Sequence, residues 1–266
     1  MSKANSESFH TPPVSPRAEA LSPGIRAAVA LAAPAIAAIF VSMLVNNLIS
    51  SANTSNGRSA TAVWLGTAGL TSWLIGMLWY NVPGMGMRTK RPLFASVGFA
   101  VMGWVAYLIF HFFWVRLAGF GPAGSTQAFI YLILFEGFAT QIWTFGLFFR
   151  ALSDWRGPLT AAIGSGLLFG MVAFLFFQES FYSNISSLIF FSLWGVFYGI
   201  IRLRTGSVLG TVLIQAMQSF TAWVVMVPAE MPPNQAAMQT VYLLSSVAFL
   251  IFVWRLWPKE ASDYRV

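Results

Sequence analysis

The chain contains no cysteine, so it can form no disulfide, bind no metal through a thiolate and use no thiol nucleophile. Histidine is almost as scarce: there are two, His10 near the start and His111 within an apolar run. Charge is short as well, at 9 % of residues, whereas 57 % are hydrophobic. A water-soluble domain of this size needs far more polar surface, so the expected solvent is lipid. In lipid every backbone polar group must be satisfied internally, which leaves helix bundles and closed barrels. The apolar runs are long and continuous rather than alternating, and that selects helices.

The pattern predicts an all-α, polytopic transmembrane bundle of about eight spans, near 27–49, 62–82, 93–115, 127–149, 159–178, 185–201, 207–228 and 238–256. The sixth is the shortest, and Pro34 is expected to kink the first. Residues 1–25 are polar, hold four prolines and read as a tail; 26–256 form the bundle and 257–266 a second tail. Basic residues test the count independently. With eight spans, thirteen of the fifteen Lys and Arg fall on the side of the termini, and only Arg58 and Arg116 fall opposite. Because Lys and Arg in short loops stay cytoplasmic, both termini are expected in the cytoplasm, with the chain in a bacterial inner membrane. Loss of the first span as a signal peptide would invert everything downstream, so cleavage is not expected. The net charge of +7 sits at span ends as a topology signal and implies no nucleic-acid partner.

Trp64, Trp79, Trp114, Trp155, Trp254 and Trp257 lie near span ends, as an interfacial belt would place them. Ala162, Gly166 and Gly170 put a shallow groove on the fifth span, suited to close helix packing. Glu136 is the one carboxylate deep in a span, and helical phase sets it on the same broad face as Gly146 and Arg150, toward the interior. Two readings stand for it: a proton-carrying or ligand-binding acid, or a carboxyl packed against His111, Gln141 or another helix. Gln215 and Gln218 can form interhelical hydrogen bonds that hold the bundle or grip a partner.

Three phrases between 140 and 220 carry a family resemblance. They are Phe145-Gly146-Leu147-Phe148-Phe149-Arg150-Ala151, the stretch from Gly164 to Ala173, and the run from Arg204-Thr205-Gly206-Ser207 to Gln215-Ala216-Met217-Gln218-Ser219. In order and spacing they resemble the Glu-Glu-x-x-x-Arg, Phe-x-x-x-His and His-x-x-x-Asn/Asp motifs of the CAAX-protease and bacteriocin-processing (CPBP or Abi) intramembrane metalloproteases. The resemblance implies a CPBP-like core in the fourth to seventh spans, about 127–228. It also implies that the family's glutamate positions are Phe145 and Gly146, its histidine positions Ala173 and Gln215, and its Asn/Asp position Ser219. Arg150 and Phe169 are retained.

The residue inventory points the same way. A catalytic zinc needs three protein ligands and a water position, and the spans hold one histidine and one deep carboxylate. Serines such as Ser165, Ser192 and Ser219 would need a base, for which only His111 stands in a span. No phosphate loop or cofactor motif is present. The expectation is therefore a catalytically inactive CPBP-like scaffold, regulator or accessory subunit without cofactor, in contact with membrane lipids and other membrane subunits. The rivals are an active protease with a displaced site and a transporter or lipid-handling protein using Glu136.

Overall fold

A computed structural model describes residues 14–49, 57–121, 125–177, 179–260 and 263–265. Eight apolar helices dominate: α1 (Pro23–Ile49), α2 (Gly57–Trp79), α3 (Arg91–Trp114), α4 (Ser125–Arg156), α5 (Pro158–Phe176), α6 (Ile185–Thr205), α7 (Leu209–Val225) and α8 (Gln235–Leu256). Among the described residues, seven are long and apolar enough to cross a membrane; α7 is the shorter one. The expected short span was the sixth, and that expectation fails at Arg202 and Arg204. These charges suggested an end near 201, but the helix continues through them to a left-handed cap at Gly206 (φ 73°). The seventh span was expected to reach 228. It ends at Val225, because Met226–Pro228 leaves the helix as strand β2, antiparallel to β1 (Leu117–Phe120).

Local chemistry sets the other ends. Asn184 begins α6 with a reciprocal capping box to Ser187, and the Asn234 side chain accepts from the first amides of α8. α4 runs on past the expected limit of 149 and stops at Gly157 (φ 89°), followed by Pro158 at the first position of α5. Within α4 the segments Leu132–Ala139 and Ile142–Phe148 are π-helical, so the 3.6-residue phase is only approximate there. Pro34 lies inside α1, which continues through it.

α4 is the central element: 78 % of its most apolar 18-residue stretch is buried, against 17 % for that of α1. α5 lies on α6 in the closest contact of the bundle. A Cβ on Gly195 would fall 2.0 Å from the Gly166 carbonyl oxygen, and one on Gly199 2.1 Å from that of Ala162. The expected groove of Ala162, Gly166 and Gly170 is thus filled by this chain's own α6, whose Gly195 and Gly199 mirror it. The aromatic belt is present in part. Trp114, Trp155, Trp254 and Trp257 are exposed, but Trp64 stacks on Phe176 at 4.1 Å and Trp79 meets Tyr80 edge-on at 6.0 Å.

One end of the bundle is basic. Residues 14–22, part of the expected polar tail, lie against it: Ser15 donates to the carbonyls of Trp79 and Leu78, and Ala18 is buried in the turn Pro16–Glu19. Asp263–Arg265 returns to the same end, with Arg204–Asp263 at 2.8 Å and the Arg265 amide donating to Leu203. Residues 1–13, which include His10, and 266 lie outside the described residues.

Candidate functional site

Phe145, Gly146, Ala173, Gln215 and Ser219 are all buried in the middle of the bundle. Phe145 faces Phe169 at 5.5 Å, and Phe169 meets Phe177, Trp194 and Tyr198 at 5.6 to 5.8 Å, so an aromatic core occupies this region. Gly146 sits against the Met85 side chain, which a Cβ would approach to 3.3 Å. None of these side chains can take up a proton at ordinary pH, and none but Gln215 and Ser219 offers even a polar atom.

Gln215 is fully used. Gln141 Nε2 donates to its Oε1 at 2.6 Å, its own Nε2 donates to the main-chain carbonyl of Glu136 at 2.6 Å, and Thr211 donates to Gln141 Oε1 at 2.6 Å. The expected interhelical bonding is therefore present for Gln215, between α7 and α4. It is absent for Gln218, whose buried amide has no hydrogen-bond partner among the described residues. Glu136 is buried and directed inward as expected, beside Gln215. His111 belongs to a different neighbourhood: it packs edge-on against Trp223 at 4.7 Å and beside Tyr107 at 6.0 Å.

Arg150, the retained arginine, works with neighbours at the basic end. Asp154 takes Arg26 at 2.9 Å and Arg150 at 3.4 Å, while Arg26 also donates to the Tyr80 hydroxyl at 3.3 Å. Both guanidinium groups lie within 5.9 Å of the Tyr80 ring centre. Burial, and then the Asp154 charge, push the Tyr80 hydroxyl up to about 12, so it stays a neutral donor and acceptor. Burial and the nearby Arg150 lower the affinity of Arg88 for its proton. Arg202 is wholly buried; its Nε donates to the Phe145 carbonyl at 3.3 Å and its guanidinium covers the Phe149 ring at 4.8 Å. Gly86 (φ 80°) is required there, since a Cβ would lie 2.4 Å from Arg202 Nε. These contacts tie α1, α4 and α6 together and are structural in kind.

The most consequential group that the sequence does not single out is Glu179, in the connection between α5 and α6. It is fully buried, and the Ser219 hydroxyl donates to its Oε1. A carboxyl thus stands beside the residue at the Asn/Asp position. No local pattern marks it, because the two residues are forty apart in sequence. Burial pushes the Glu179 carboxyl up to about 7, opposed by the hydroxyl of Ser219, the Trp223 indole and the Tyr107 hydroxyl. Among the described residues, no three of His, Cys, Asp and Glu come together as a metal site would need.

Residues 122–221 match the family model described as type II CAAX prenyl endopeptidase Rce1-like, within the wider family resembled above. The match runs from the start of α4 into α7 and takes in every degenerate position. No curated protein matches the chain.

Proposed function

From this Rce1-like segment we propose a non-enzymatic membrane protein, in which a CAAX-protease-like bundle without hydrolytic groups acts as scaffold, regulator or accessory subunit of a membrane complex. One observation carries the reading: the positions that handle water and protons in the family are Phe145, Gly146, Ala173, Gln215 and Ser219, set in and around a close-packed aromatic core. A fold that keeps its helices while losing its reactive groups retains surfaces for other membrane segments. The tests are cleavage of a prenylated CAAX peptide by the purified protein, metal analysis, and mass spectrometry after gentle detergent extraction. No cleavage, no stoichiometric metal and a reproducible membrane-protein companion are expected. One equivalent of tightly held zinc, or purification with no companion, would overturn it.

A second reading, an active protease with a displaced site, is favoured by the Ser219–Glu179 hydrogen bond, which sets an acid beside a family position. Cleavage abolished by Glu179→Gln would establish it. In either case both termini are placed in the cytoplasm of a bacterial inner membrane, on the strength of the thirteen-to-two basic bias. A reporter active only outside the cytoplasm should give no signal when fused after Val266; strong activity there would reverse the orientation.

A further inference from the structure

The connection between α5 and α6 turns back into the bundle at Glu179, and three other helices meet there. α7 brings Ser219, whose hydroxyl donates to the carboxyl, and α8 brings Tyr242, whose hydroxyl donates to the Glu179 main-chain carbonyl. α3 brings Tyr107 and His111, and the end of α7 brings Trp223 onto the His111 ring. The Tyr107 hydroxyl and the Trp223 indole N–H both approach the carboxyl, yet neither completes a hydrogen bond to it. Five buried polar atoms therefore lie in one cluster without a hydrogen bond of normal geometry to any of the described residues: Glu179 Oε2, Tyr107 Oη, Trp223 Nε1 and both ring nitrogens of His111. Buried polar atoms in native proteins nearly always have partners, and where protein groups do not serve, ordered water does. The five include donors and acceptors together, which is what bridging water requires.

The groups facing the acid are phenols, a hydroxyl, an indole and an imidazole. From α3 come Tyr107 and, behind it, His111; from α6 Tyr198; from α7 Ser219 and Trp223; from α8 Tyr242, with Tyr182 of the connection beyond it. Among the described residues, no lysine or arginine acts on the carboxyl. An ionised Glu179 would be a buried charge without a counter-charge, which is disfavoured.

We propose that Glu179, Tyr107, His111, Ser219 and Trp223 form a proton-binding site, in which Glu179 rests as a neutral acid and ordered water links its Oε2 to His111, Tyr107 and Trp223. Ionisation passes the proton from Oε2 by way of that water to bulk solvent and leaves the carboxylate, held by the Ser219, Tyr107 and Trp223 donors. The new charge stands where the α5–α6 connection, α7 and α8 are tied together, so proton release loosens that junction. Burial sets the exchange near neutral pH. The inference concerns proton occupancy and holds whether or not the chain cleaves peptides.

Infrared difference spectroscopy of the full chain in detergent, taken from about pH 5 to about pH 9, reads the carbonyl stretch of a protonated carboxyl directly. The expected result is a band lost with a midpoint near neutral pH and missing in Glu179→Gln. Tyr107→Phe removes a donor that favours the carboxylate, so it should move the midpoint upward by a few tenths of a unit or more. A titration at the ordinary carboxylate pH, or no band sensitive to Glu179→Gln, overturns the proposal. If Glu179→Gln does not fold, Tyr107→Phe decides the point, since a band that it leaves unmoved belongs to another acid such as Glu136.

Discussion

Replacing Gly195 with alanine adds one methyl group at the place where α5 and α6 have least room. The new Cβ would lie 2.0 Å from the Gly166 carbonyl oxygen, and ordinary van der Waals contact begins at 3.4 Å, so the helices must part locally by about 1.4 Å. The obstacle is backbone on both sides, which cannot rotate away as a side-chain tip could. Parting also weakens contacts along the interface, because a radial gap of 0.5–1 Å already forfeits a quarter to a half of each pairwise attraction. In lipid no hydrophobic drive restores them. The expected cost is about 2–3 kcal/mol, at the upper end of core overpacking. Gly98→Ala in α3 is the control: its Cβ meets nothing within 4 Å, and the exchange should gain about 0.5–1 kcal/mol of helix propensity. Reversible unfolding in mixed detergent, followed by tryptophan fluorescence and checked by size-exclusion chromatography, measures both. Gly195→Ala with unaltered stability, or a Gly98→Ala variant equally damaged, would refute the reasoning. Since α6 fills the groove, Gly166→Leu and Gly170→Leu should break the bundle itself before any partner complex.

Gln215→Ala removes two hydrogen bonds and leaves Gln141 Nε2 without its acceptor, for a cost of about 1–3 kcal/mol in the same unfolding assay, whereas Gln218→Leu should be neutral or stabilising because its amide has no bonds to lose among the described residues. Asp154→Asn leaves Arg26 and Arg150 near each other without their shared carboxylate; with the pair partly open to solvent, a loss of about 2 kcal/mol is expected, reduced by added salt. The Glu179 carboxyl is raised from 4.5 to about 7, so its contribution to stability is fully present below about pH 4.5 and is lost as pH rises through about 7. That amounts to about 3 kcal/mol at most, and Glu179→Gln should flatten this part of the stability profile.

Composition alone determined the solvent, and the solvent determined the class. With 9 % charge and long apolar runs, lipid-spanning helices were the sole outcome able to satisfy the backbone, and the family phrases placed a CAAX-protease-like core within them. The inward direction of Glu136 was legible as well, since an acid on a lipid-facing surface is costly. Helix ends were less so. Arg202 and Arg204 read as the end of a span because charge is normally outside, yet Arg202 is buried against Phe145 and Phe149 within the helix. Only the tertiary structure decided which small residues face which: Gly195 and Gly199 share the four-residue spacing of Gly166 and Gly170, but spacing names no partner. It also decided that Gln215 is bonded and Gln218 is not, although they lie three residues apart on one helix. Glu179 shows the limit most clearly. Its neighbours come from α3, α7 and α8, so neither its proton affinity nor its contact with Ser219 is written in any local stretch; both arise from burial among side chains that the fold alone brings together.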